Sequence, residues 1–390
     1  MNILQVVSSF PPAYSYGGVP KVTYEISKEL VKRGHDVSVY TTDVYDSKTR
    51  FKGENFSLVD GIEVKRFRNI SNHLAYSNLT LAPKMAAELN KNMKSFDIVH
   101  LREYRSFQAI LLNYYAKKYS IPYIFQAHGS LLPFFEKISL KKFYDLVIGR
   151  KILHDAEKII ALTNTEREQY NEMGLDNNEI EVIPNGIDLS LYSNTPSYGK
   201  FREKYDISDD ENVILYLGRI HKIKGINLLL KSFKLLFNDI TNVKLVIVGP
   251  GDTSKLKKMI KGSIIENNVI FTGPLYGEDK YDVFVDSDLY VLPSIYDTFP
   301  NTVLEAFSFG KPVIVTEGCG IKDIIDGTAG YVVKYDKNSL KDAMHSIITN
   351  ETLKHSFGEN GKQLINDELN WKSIVDRIEI LYENTSKRGF

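Results

Sequence analysis

The sequence predicts an α/β protein made of two doubly wound parallel-sheet domains in succession, facing each other across a cleft. Three observations carry this. Short apolar runs alternate with helix-length amphipathic segments along the chain. The runs are apolar almost without interruption, as strands buried on both faces of a parallel sheet must be. The alternation stops in a polar stretch, Ser193–Lys200, and then starts again.

In the first half, Ile3–Val7 reads as the opening strand. Val19, Val22, Ile26 and Leu30 follow at spacings of three and four, which puts them on one face of a helix. Gly34 then supplies the left-handed residue that ends such a helix. Val37–Thr42, Asp97–Leu101, Tyr123–Ala127 and Ile159–Leu162 repeat the strand pattern. Asn185-Gly186 is a turn signal, and Pro196 and Gly199 mark the polar stretch as a linker. The second half opens with Val213–Leu217. A helix face of Ile226, Leu229, Leu230, Phe233 and Phe237 comes next. Strands are expected at Lys244–Val248, Val269–Thr272, Leu289–Leu292 and Pro312–Thr316. A last helix carries Trp371, Ile374, Val375, Ile378 and Leu381 on one stripe, which needs an apolar surface to cover.

Composition narrows the function. The 49 Lys and Arg balance the 49 Asp and Glu, so net charge gives no case for nucleic-acid binding. A single cysteine, Cys319, excludes an intramolecular disulfide and disfavours a cysteine zinc site. No apolar run is long enough for a transmembrane helix, and Met1–Phe10 lacks the basic start of a secretion signal, so a cytoplasmic location is expected. Neither opening strand is followed by G-x-G-x-x-G, and there is no Walker A sequence, which disfavours a nicotinamide oxidoreductase and a P-loop NTPase.

Ligands in doubly wound sheets bind beyond the carboxyl ends of the strands, so residues there come first. Gly17-Gly18 lies between the first strand and the first helix, where glycine admits close backbone approach and the helix start offers N–H groups to an anion. A plain turn is the other reading. After the strand ending at Leu217, the loop Gly218-Arg219-Ile220-His221-Lys222-Ile223-Lys224-Gly225 crowds basic residues before a helix. Arg219 and Lys224 can clamp a diphosphate there, and a solvated basic loop is the other reading. The stretch from Asp297 to Phe307 sets one carboxylate, Asp297, in a loop and another, Glu305, inside the following helix. Phe299 and the amides of Asn301, Thr302 and Val303 fall between them. Acids can take hydroxyls there and amides a phosphate, although an acid pair serving the helix dipole would look the same. His128 ends a strand and can donate to a substrate oxygen, or it can be structural. His35 and His100 read as structural. Asp286-Ser287-Asp288 precedes its strand instead of following one, so it reads as capping, and no metal site is expected. The segment 134–152 combines Phe134, Phe135 and Phe143 with Lys137, Lys141, Lys142, Arg150 and Lys151. It is either a solvated helix face or a surface for anionic lipid headgroups.

Taken together these pieces resemble the retaining glycosyltransferases of family 4, the group 1 transferases with the GT-B fold. The resemblance rests on Gly17-Gly18, Ala127-His128-Gly129, Ile183-Pro184-Asn185-Gly186-Ile187-Asp188, Gly218-Arg219, Lys224-Gly225, Val248-Gly249-Pro250-Gly251, Phe271-Thr272-Gly273, and Asp297 through Val313. In that order and spacing the set is specific and spans nearly the whole chain. It implies a nucleotide-sugar donor, with a UDP-sugar favoured and GDP-mannose behind, and a saccharide or lipid-linked acceptor. It implies no cofactor and no metal. By similarity, Arg219 and Lys224 bind the diphosphate, Glu305 the ribose, and the backbone near Leu275 the base. Asp297 and the amides of Asn301 to Val303 meet the donor sugar or phosphate, Gly18 packs near the diphosphate, and His128 contacts the sugar. The implied domains are 1–192, 193–368, and a final helix, 369–390, that crosses back. One departure stands out: the family carries glutamate where this chain has Asp297, one methylene shorter. A nucleotide-sugar epimerase of the same fold and a non-catalytic binding subunit are the alternatives.

Overall fold

The computed structural model describes residues 1–46, 48–76, 80–132, 138–192 and 196–386. The chain forms two compact units, Met1–Gly186 with Trp371–Phe390, and Ile187–Asn370. The first change of unit falls ahead of the polar stretch that the sequence suggested as linker. The reason is local: Ile187 N donates to Leu369 O at 2.9 Å, and Ile187 pairs with Asn370, so this segment is tied into the second unit.

The first unit holds β1 (Asn2–Val6), β2 (Asp36–Thr42), β3 (Phe56–Val59), β4 (Ile62–Phe67), β5 (Ile98–Leu101), β6 (Tyr123–Gln126), β7 (Lys158–Ala161) and β8 (Ile180–Val182). They form one sheet in the order β3-β4-β2-β1-β5-β6-β7-β8. All pairs are parallel except the β3–β4 hairpin. Neighbouring residues go to opposite faces, as the period of two requires. Leu4, Val6, Val99, Leu101 and Phe125 enter one apolar core, and Ile3, Val37, Val39, Ile98 and Ile124 the other. The helix Val19–Lys32 covers the second face with Val22, Ile26 and Leu30. The last helix, Trp371–Ser386, lies on that same face through Trp371, Ile374, Val375, Ile378 and Tyr382. Glu379 fixes it to the first helix's end, 2.7 Å from both Arg33 Nη1 and His35 Nε2.

The second unit holds β9 (Asn212–Leu217), β10 (Val243–Val248), β11 (Val269–Gly273), β12 (Leu289–Leu292), β13 (Val313–Thr316) and β14 (Gly330–Val333). The order is β11-β10-β9-β12-β13-β14 and every pair is parallel. Counted from β9 this is 3-2-1-4-5-6, a dinucleotide-fold order whose crevice opens where the strand sequence reverses, at β9 and β12.

Four strands escaped the sequence reading: β3, β4, β8 and β14. The expected helix over 134–152 is also divided. Its described part is a helix Ile138–Tyr144, a π-helical turn Asp145–Gly149 and a helix Arg150–His154. Phe134, Phe135 and Lys137 lie outside the described residues. Asp286 and Asp288 serve the fold. Asp286 takes the N–H groups of Gly199, Phe201 and Arg202, capping the helix Lys200–Lys204. Asp288 accepts from Val213 N at 2.8 Å and pairs with Arg202 and Lys354.

Candidate functional site

Two sets of residues gather at carboxyl ends of strands, one in each unit. In the second unit the loop after β9 and the loop after β12 meet at the reversal point. The first runs through a short 3-10 turn, Lys222–Lys224, to Gly225. It is tied down on both sides, with Ile220 N donating to Pro250 O at 2.8 Å and Ile295 N donating to Ile223 O at 2.7 Å. Gly225 has φ +71°, and a Cβ there would stand 1.8 Å from Pro293 O, so only glycine lets the two loops touch.

That contact brings Lys224 Nζ onto the Asp297 carboxylate, with the two side chains 17% and 15% exposed. Asp297 is itself held by its backbone. Its N–H donates to Gly318 O at 3.1 Å and its carbonyl accepts from Gly320 N at 2.7 Å. Arg219 lies in the same loop and is exposed. Its carbonyl accepts from Tyr216 OH at 2.9 Å, which fixes the backbone beneath the side chain. Tyr290, buried on β12, donates to Leu217 O at 3.0 Å and receives Thr302's hydroxyl at 2.6 Å. Burial raises the Tyr290 phenol well above its ordinary value, so it stays a donor. One buried hydroxyl thus joins the end of β9 to the start of the helix Asn301–Ser308.

That helix carries Glu305, whose carboxylate is 2.7 Å from Lys280 Nζ, with side chains 11% and 22% exposed. Phe299 is 7% exposed and belongs to the packing of the loop. Leu275 stands half-buried between β11 and the helix Gly277–Val285. One expectation needs correcting. The N–H of Val303 already donates to Pro300 O at 3.0 Å, so it is committed within the helix start. Proline at the N-cap provides that carbonyl while lacking an N–H of its own.

In the first unit, Gly17 has φ +101° and Gly18 caps the helix Val19–Lys32, its carbonyl accepting from Val22 N at 3.0 Å. His128 follows β6 in a left-handed conformation, φ +50°, with Gly129 at φ +79° after it. Burial, and after it the nearby Arg102 cation, hold the His128 ring well below the ordinary imidazole value, so it is neutral. Three neighbours were not singled out from the sequence. Arg102 is fully buried at the end of β5. Glu103 accepts from Ser8 N at 3.0 Å and from the Ser8 hydroxyl. Burial lifts its carboxyl to about 6 against the pull of those hydrogen bonds. Glu166, also buried, accepts from Gly129 N at 2.6 Å and Leu162 N at 2.7 Å. A signal existed for the first two, since Arg102-Glu103 directly follows a predicted strand.

The second-unit cluster can bind an anion between a cation-rich loop and a helix start, with carboxylates beside it for hydroxyls. The chain is similar to known proteins over most of its length. Residues 197–364 match the family described as glycosyl transferases group 1, and residues 16–191 match glycosyltransferase family 4. An uncharacterized glycosyltransferase of Methanocaldococcus jannaschii, MJ1607, is 25% identical over 98% of both chains. The N-acetyl-alpha-D-glucosaminyl L-malate synthase of Bacillus anthracis is 23% identical over 94% of both. Among solved structures, Anabaena Alr3699/HepE in complex with UDP and glucose superposes with a TM-score of 0.77 at 20% identity, covering 98% of this chain and 100% of that one.

Proposed function

The chain belongs to family 4 of the glycosyltransferases, the group 1 transferases of GT-B fold, and from that premise we propose that it transfers a hexose from a UDP-sugar to a saccharide or lipid-linked hydroxyl with retention of configuration. The observation that carries the donor side is the convergence of Arg219, Lys224, Asp297 and the start of the helix Asn301–Ser308 at the reversal point of the second sheet. The UDP bound by the HepE relative supports the choice of base.

In this reading the anomeric C–O bond to the diphosphate breaks. Positive charge grows on the sugar ring and negative charge on the leaving phosphate. Arg219, Lys224 and helix N–H groups stabilise that phosphate, doing without a metal the work a divalent cation does elsewhere. Asp297 and Glu305 accept donor hydroxyls, and the sugar meets His128. The acceptor hydroxyl attacks on the face the phosphate leaves, and its proton passes to that phosphate. Removing one such donor typically costs about 3–4 kcal/mol of barrier, or roughly 100- to 1000-fold in rate. Arg219→Ala and Lys224→Ala should each lose turnover on that scale while staying folded. Wild-type rates in both would refute the assignment. Thermal-shift screening against nucleotide sugars identifies the donor, since a ligand at about 100 times its Kd stabilises by about 2.7 kcal/mol. Sugar analysis after incubation with donor alone tests the epimerase alternative.

A second observation supports peripheral membrane contact at a cytoplasmic face. Ile138, Leu140, Phe143, Leu146 and Val147 are all exposed, and Lys142, Arg150 and Lys151 are exposed beside them. Apolar side chains flanked by cations suit an anionic lipid surface. Among the described residues no helix is long and apolar enough to cross a membrane. Cosedimentation with anionic vesicles that survives in Phe143→Glu with Leu146→Glu would count against this surface.

A further inference from the structure

Beneath the His128 loop the first unit buries a whole cation. Arg102 has no exposed surface. Burying a guanidinium costs several kcal/mol unless its N–H groups find good acceptors. Here Nε donates to Gln5 Oε1 and Nη1 to Gln126 Oε1, both at 2.9 Å. Nη2 lies 3.2 Å from His100 Nδ1, and Nη1 lies 3.5 Å from His128 Nε2. None of these four partners carries a negative charge, so the arrangement is not a salt bridge. Its return is orientation.

A guanidinium donates and never accepts. Each ring nitrogen that faces Arg102 must therefore present a lone pair. His128 then has its lone pair on Nε2 and its proton on Nδ1. His100 likewise has its lone pair on Nδ1. The rest of the network agrees. Gln5 Nε2 donates to Tyr382 OH at 3.1 Å, and Tyr382 OH donates onward to His100 Nδ1 at 2.6 Å. Tyr382 of the last helix thus closes the circuit on His100 Nδ1, and the His100 proton sits on Nε2, a buried atom without a hydrogen-bond partner among the described residues.

The backbone is constrained as tightly as the ring. A left-handed non-glycine residue costs roughly 1 kcal/mol or more, so something must hold His128 there. Glu166 does so through Gly129 N. Arg105 adds to it, with Nη1 donating to Ser130 O at 2.6 Å and Nη2 to Leu131 O at 2.7 Å.

We propose that Arg102 and Glu166 are positioning residues for sugar transfer: Arg102 fixes the His128 ring with its proton on Nδ1, and Glu166 fixes the loop that aims it. His128 is then a preset hydrogen-bond donor and not a general base, because its one lone pair already faces Arg102. The catalytic part of this rests on the sugar contact assigned to His128 above; the tautomer does not.

The full-length protein, labelled with 15N-histidine, reports the tautomer directly by correlating ring nitrogens and carbon-bound protons. His128→Gln identifies the signal. The expected result is a neutral Nδ1–H ring from about pH 8 down to about pH 5.5, across the ordinary histidine range. An Nε2–H ring, or an imidazolium forming in that range, overturns the proposal even if His128→Gln is inactive. For the kinetics, Glu166→Gln keeps the side chain's shape and Arg102→Lys keeps its charge. Both should lose about tenfold to a hundredfold in kcat with little change in donor KM, the scale expected for misplacing a reacting group by about 1 Å. The 15N signal of His128 should move in both. Folded variants with wild-type kcat overturn the positioning role. Wild-type turnover in His128→Gln overturns the sugar contact, and with it the catalytic half of this proposal, while leaving the tautomer to the spectra.

Discussion

Substituting Gly225 by alanine separates geometry from chemistry, because the glycine contributes no functional group. Its φ of +71° costs an alanine about 1–2 kcal/mol. The new Cβ would also stand 1.8 Å from Pro293 O, and 2.8 Å from that residue's carbonyl carbon. Carbon and oxygen need about 3 Å or more, so the loop after β9 must retreat from the loop after β12 by about 1 Å. Relieving such an overlap in a packed region costs about 1–3 kcal/mol. The two terms together predict a loss of about 2–5 kcal/mol, and hence a Tm lower by roughly 5–15 °C for a domain of this size. Turnover should suffer separately, because the displaced loop carries Lys224 and its contact with Asp297. A displacement near 1 Å can cost about 100-fold in rate. Gly330→Ala is the control. Its Cβ would meet Val313 O at 1.7 Å, an equal clash at the far end of the strands. Differential scanning fluorimetry and steady-state kinetics on both variants decide the matter. Gly330→Ala should lose stability but keep kcat/KM below its melting range. Equal kinetic losses in the two, or none in Gly225→Ala, would refute the reasoning.

Other perturbations test single contacts. Glu103 has its carboxyl raised by burial from the ordinary 4.5 to about 6. Between those values the unfolded chain releases its proton first, so the native state holds more protons and stability falls as pH rises through that window. The loss is at most about 2 kcal/mol, and Glu103→Gln should remove it, which urea midpoints measured from about pH 4 to pH 7 will show as a diverging pair of curves. Glu305→Gln should weaken UDP binding by about 10- to 100-fold, the worth of hydrogen bonds to a charged acceptor, and calorimetry that finds unchanged affinity would move the ribose elsewhere.

Much of this was legible because the controlling patterns are local. The apolar runs of β1, β2, β5, β6, β9, β10, β12 and β13 are strands that sit inside a sheet with both faces covered, so their composition announces them. β3 and β4 are different. They form the edge hairpin, Phe56 and Leu58 are exposed, and burial merely alternates along β4. Their signal was the turn, Asp60-Gly61, with φ of +49° and +81°. The loop residues of the second unit were readable for a similar reason, since position after a strand predicts position at the rim. Glu166 was not. In sequence, Thr163 and Glu166 look like an ordinary capping box, and Thr163 does accept from Glu166 N at 3.1 Å. The carboxylate reaches instead for Gly129, 37 positions away, which no local pattern reveals. Arg102 was equally hidden, because its two glutamine partners come from two other strands, β1 and β6, and only the fold brings them to it.

The carboxylates of the second unit pose a physical question for any enzyme that takes a diphosphate there. A phosphate approaching a bare carboxylate to about 4 Å is repelled by about 4 kcal/mol in a partly buried setting. Two such acids would cancel most of what one arginine and one lysine provide. The structure resolves this by pairing each acid before any ligand arrives, Asp297 with Lys224 and Glu305 with Lys280. Each pair is close to neutral, so the anion does not meet the acids as free charges. Each acid still has lone pairs for neutral hydroxyls, which a sugar and a ribose supply. On the proposed reading the arrangement would select by chemistry: hydroxyls to the paired acids, phosphates to Arg219, to the N–H groups Lys224 has left beyond its bond to Asp297, and to the helix start. The shorter Asp297 fits this economy, since one methylene less keeps its carboxylate against Lys224 beneath the loop.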